Sequence, residues 1–119
     1  MRYLFFIAAF LLMFSCNQNC AEYNPETCGT KNPIQDIAWL NSLAKDIENN
    51  PDFYLTQALF EGNIIFILKN CCAACNTTIP VYNCTGDIIC NNLGECPEIS
   101  SGISNEKTIL QNESSTCDL

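Results

Sequence analysis

The sequence predicts an α+β fold: one N-terminal helix packed on a four- to five-stranded antiparallel sheet of hairpins, with disulfides stapling the two. Three observations predict it. Ten of the 119 residues are cysteine, the density of a short exported chain held by cross-links. One stretch around residue 40 carries apolar side chains at helical spacing. The stretches after it are β-branched and aromatic, and glycine-bearing turns separate them. The length permits a single domain. A core this small gains from bonds that restrict the unfolded chain.

In chain order, Met1-Arg2-Tyr3 is a short positive start and Leu4 to Phe14 an unbroken apolar run of eleven residues. A membrane-spanning helix needs roughly 20 such residues, so residues 1–15 read as a signal peptide removed on export. The run leads straight into Met13-Phe14-Ser15-Cys16, which resembles a bacterial lipobox. Ser15 fits that pattern, Met13 stands near the usual leucine, and Phe14 is a looser match. The resemblance implies lipidation of Cys16, hence a membrane partner through an N-terminal lipid anchor and a place in the cell envelope, at the outer membrane. Plain secretion is the competing reading. Cysteine parity speaks for it, because acylating Cys16 leaves nine thiols and one without a partner. A eukaryotic secreted origin would give meaning to the sequons at Asn76, Asn83 and Asn112, but a chain this rich in asparagine carries such triplets by chance.

Residues 16–31 are polar, with Pro25 and Gly29, and read as the lipidated N-terminus and a tether. The domain is expected over 32–110. Asn32 suits an N-cap, Pro33 the first helical position, Gln35 the reciprocal capping place and Asp36 the positive end of the helix dipole. Ile37, Leu40, Ala44 and Ile47 recur at steps of three and four, Leu43 widens the stripe, and Trp39 borders it as a core residue before Asn49-Asn50-Pro51 ends the helix. Phe53 to Phe60 and Ile64 to Asn70 form a hairpin through Glu61-Gly62-Asn63. Ile64 to Leu68 is apolar on both faces and so belongs to a central, covered strand. A second hairpin pairs Pro80 to Tyr82 with Asp87 to Ile89 through Cys84-Thr85-Gly86. Leu93 to Ser104 reads as a loop, Lys107 to Leu110 as a short last strand, and 111–119 as a flexible tail.

Several chemistries are excluded by what the chain lacks. It has no histidine, which removes Ser-His-Asp and Cys-His catalysis. Thirteen acids outnumber five cations, one of them Arg2 in the signal, so nucleic acid is not an expected partner. Asp46 and Glu48 fall on different helix faces and make no acid/base pair. No catalytic residue, metal ligand or cofactor is assigned, and the chain is expected not to be an enzyme.

The cysteines carry the remaining chemistry. Cys72-Ala73-Ala74-Cys75 is one Cys-x-x-Cys without a second, too little for a tetrahedral zinc site. A redox role needs a following helix to lower the thiol pKa, but Asn76 to Pro80 follows instead. Cys28, Cys71, Cys72, Cys75, Cys84, Cys90 and Cys96 are therefore disulfide candidates. Adjacent strand residues point to opposite faces, so Cys71 and Cys72 take different partners. Cys90 with Cys96 would close a short loop, Cys28 would tie to the Cys71-Cys72 corner, and Cys75 to Cys84. With Cys16 acylated, roughly a thousand arrangements are open.

Trp39-Leu40-x-x-Leu43, Cys71-Cys72, Tyr82-x-Cys84-x-Gly86-x-Ile88-Ile89-Cys90 and Cys96-Pro97 together resemble an uncharacterised cysteine-rich domain of small lipoproteins from Bacteroidetes-type bacteria. The likeness covers about Cys28 to Leu110. It implies an envelope address and no particular activity. Two functions remain in view: a non-enzymatic binding or structural role, and a protease inhibitor presenting the segment Asn91 to Ser104, pinned by Cys90 and Cys96.

Overall fold

The computed structural model describes residues 26–119; the expected signal peptide, the expected lipidation site Cys16, and Cys20 lie outside the described residues. Two helical segments, α1 (Pro33–Asp36) and α2 (Ala38–Glu48), precede the strands β1 (Phe53–Phe60), β2 (Asn63–Asn70), β3 (Val81–Tyr82) and β4 (Ile88–Cys90). A 3-10 turn (Leu93–Glu95), helix α3 (Pro97–Gly102) and strand β5 (Ser104–Gln111) follow. The strands form one antiparallel sheet in the order β4-β3-β2-β1-β5. Among the described residues no helix is long and apolar enough to cross a membrane.

The single helix expected over 32–49 does not form. Ile37 adopts an extended conformation (φ −98°, ψ 113°) and divides it in two. Nor does the capping box form: the Asn32 side chain caps nothing, and Thr30 Oγ1 donates instead to the Asp36 carboxylate. A β-branched residue accepts extended backbone readily, and the break leaves α2 to lay Leu40, Ala44 and Ile47 on the sheet. Leu40, Ile47, Leu55 and Phe66 make one buried cluster, with Ile34 and Ile37 against it. Trp39 stands edge-on to Phe66 at 5.5 Å and donates its indole N–H to the Cys84 carbonyl (3.0 Å). It is core.

The first hairpin forms through a two-residue turn. Glu61 and Gly62 both have positive φ, 49° and 76°, as the twist-matched hairpin turn demands. Ile65, Phe66 and Ile67 are buried, because β2 lies mid-sheet and both faces are covered. On the face away from α2, Ala58, Ile65, Ile67 and Val81 pack against Ile99 of α3. The stretch 93–104 is thus no free loop: Pro97 opens a helix and Ile99 supplies the apolar anchor.

Two boundaries move outward. The end of the expected tether is folded: Thr27 and Thr30 exchange backbone bonds of 2.9 and 3.2 Å around Cys28-Gly29. The expected flexible tail is tied down as well. Asn112 Nδ2 donates to the Ile47 and Glu48 carbonyls at the end of α2, Thr116 Oγ1 donates to Asp52 (2.7 Å), and Cys117 is buried.

Candidate functional site

The cysteines come first, since their state decides what they can do. Four disulfides cross-link the described residues: Cys28–Cys84, Cys71–Cys117, Cys72–Cys75 and Cys90–Cys96. The Cys90–Cys96 bond and the divergence of Cys71 from Cys72 agree with the sequence reading. The other two expected pairings are corrected. Cys28 reaches the β3–β4 turn at Cys84, and Cys75 closes back on Cys72 within its own turn. Cys117 completes the set; the polar residues around it carry no strand or helix signal that would mark it in the sequence. Bonded sulfur offers neither a nucleophilic thiolate nor a metal ligand.

The bonds also shape the surface. β3 is two residues long and pairs with β2 only at Phe66 and Ile67. The Leu68 amide donates to the Pro80 carbonyl (3.2 Å), so the amides of Ile64, Phe66 and Leu68 all face the β3 side. By Ile64 the chain beyond β3 has turned away into Asn83-Cys84-Thr85, where Cys28 and the Trp39 indole hold it. Cys84 Sγ is 3.9 Å from the Ile64 carbonyl oxygen and, being bonded to Cys28, has no proton to give. Among the described residues, β2 therefore has no strand paired to its β3 side at Asn63 to Ile65, while β1 covers its other side.

An open groove of about 590 Å³ lies along this edge, with Phe60, Ile64, Ile65, Ile89 and Ile99 as its apolar lining. Gly102 lets the Phe60 ring lie close to α3; a Cβ there would stand 2.9 Å from Cε2. Ile89 is the extra residue of a bulge, since Val81 opposes Cys90 while Tyr82 opposes Ile88. Ile88 and Ile89 are 53% and 41% exposed, and together they leave an apolar corner beside the groove. Sequence reasoning had no motif for this site. The consecutive pair Ile88-Ile89 was a usable signal, because neighbouring strand residues cannot both face one core.

Among the described residues, the charge lining the groove has one sign. Glu61 lines it, and Asp87 accepts a bond from the groove residue Thr85 (2.7 Å). Bonds from Thr85 and Asn83 hold the exposed Asp87 carboxyl below the usual carboxylate range. None of Lys31, Lys45, Lys69 and Lys107 lines the groove. Lys69 lies at the far end of β2, where it meets Glu106, which also accepts the Thr56 hydroxyl (2.7 Å). Partial burial pushes the Glu106 carboxyl up, but the bonds from Lys69 and Thr56 outweigh it and the net direction is down.

Comparison of the chain with protein-family models, with curated proteins and with solved structures finds no match in any of the three.

Proposed function

We propose that the chain is an exported, non-enzymatic protein, anchored in the cell envelope by a lipid on Cys16, whose oxidised domain binds a partner. The observation that carries this reading is the pairing of all eight cysteines of residues 26–119. Disulfides of this density belong to an oxidising compartment. They also remove the thiols from catalysis in a chain that has no histidine. The lipobox-like run before Cys16 supports the anchor, and the outer membrane is the address its resemblance implies. An acidic surface repels nucleic acid. The inhibitor alternative loses ground: a protease takes its inhibitor as exposed, extended backbone, whereas Pro97–Gly102 is helical with Ile99 in the core.

Intact-mass measurement of native protein with and without reductant is the test. The expected result is a lipid-sized increment on the peptide beginning at Cys16 and a gain of two hydrogens for each of the four bridges on reduction. Alkylation of most cysteines before reduction, stoichiometric zinc, or turnover on peptide, glycan or ester panels would overturn the reading.

A further inference from the structure

We propose that the groove beside the open edge of β2 is the partner site, and that it takes an extended peptide with an apolar side chain flanked by lysine or arginine. The proposal rests on the binding role argued above and gives it a place and a ligand chemistry.

Three features select that occupant. First, the Ile64 amide points to the β3 side, where no strand among the described residues pairs with it, so an incoming backbone finds hydrogen bonds there, as in β-strand addition. Only a short stretch is open before Phe66 and Tyr82 pair. The peptide's contact is therefore local and its side chains must supply the rest. Secondly, Phe60, Ile65 and Ile99 form an apolar bed with Ile89 on its wall. Side chains on an extended peptide alternate, so one apolar residue enters this bed while its neighbours point to the rim. Thirdly, the rim is anionic. Glu61 lines the groove, Asp87 is bonded to the lining residue Thr85, and the chain from Asn70 to Glu106 holds no cation. Lysine or arginine at the neighbouring positions meets complementary potential, which speeds encounter and sets specificity.

The same charge argues against a second copy of this chain. Two identical acidic rims would face each other across the apolar corner. The two outer strands are also poor templates for pairing. β4 has three residues and a bulge, and β5 carries two register shifts, the usual defences of an exposed edge.

The experiment uses the oxidised full chain and a short synthetic peptide alternating lysine with isoleucine and phenylalanine, beside the same peptide with glutamate for lysine. Binding is read by amide chemical shifts in titrations at low and high salt. The expected result is saturable binding of the lysine peptide alone, shifts centred on Ile64, Thr85 and Ile89, and weakening as salt rises. Glu61→Lys and Ile89→Glu, both at exposed positions, should each cost about tenfold in affinity. Lys69→Ala, at the far end of β2, should cost nothing. Circular dichroism of each variant confirms the fold. Equal binding of the glutamate peptide, shifts confined to β5, self-association in place of binding, or no binding at all would each overturn the proposal. None of these touches the mass and turnover measurements that test the broader reading, so the two fail separately.

Discussion

Gly86 shows how one backbone angle holds a corner of this fold. Its φ is +87°, and a Cβ there would stand 2.7 Å from Trp39 Cγ. Left-handed backbone costs a side-chain-bearing residue about 1–2 kcal/mol, and overpacking against the half-buried Trp39 ring adds about 1–3 kcal/mol. Gly86→Ala should therefore lower stability by about 2–5 kcal/mol, seen as an earlier denaturant midpoint with the emission of Trp39, the single tryptophan, shifted toward red. Glu106 makes a pH prediction. Its folded-state pKa lies below the unfolded value, so its contribution is full above the ordinary glutamate range and is lost as pH falls through the folded value. Glu106→Gln should cost less than about 1 kcal/mol at neutral pH, because the pair is partly solvated. The gap between variant and parent should close in acid. A gap that persists there would assign the effect to packing. The sequence showed Trp39 as core from its place beside a helical stripe. It could not show Gly86 beneath the indole, since 47 positions separate them.

Among the elements, the disulfides divide by the length of chain they close. Cys28–Cys84 and Cys71–Cys117 have sequence separations of 56 and 46, while Cys72–Cys75 and Cys90–Cys96 span 3 and 6. Chain-entropy reasoning gives about 4 kcal/mol for each long closure and about 2 kcal/mol for the short ones. Replacing Cys28 and Cys84 together by alanine should thus destabilise the domain more than replacing Cys72 and Cys75, in parallel urea titrations. The reverse order would mean that the short bridge shapes the native turn and not merely the unfolded chain. Helix α3 makes a second test. Ile99→Ala should cost about 2–4 kcal/mol, whereas an exposed loop residue would cost almost nothing. The first hairpin was legible in the sequence because alternation and a glycine turn are local signals. α3 was not, because Pro97-Glu98-Ile99-Ser100 offers one apolar residue, too few to set a helical period.

Over the whole molecule, charge governs behaviour in solution. The chain carries a formal charge of −8 at neutral pH and has an isoelectric point near 4.1. Repulsion of that charge is expected to oppose contact between copies at the exposed Ile88 and Ile89 until it is titrated. Light scattering should rise as pH approaches 4.1, and Ile89→Glu should suppress the rise. An unchanged profile would place the sticky surface elsewhere. What the sequence alone determined is the class, α+β with hairpins and cross-links, and a composition without histidine. Both are read from residue counts and from patterns a few residues long. Tertiary structure alone decided which sulfurs bond, where the helix breaks, that Ile99 seals the second face, and that β3 leaves β2 early enough to open a groove. Those outcomes depend on which distant segments meet, and pairings across some fifty residues leave no periodic trace in the chain.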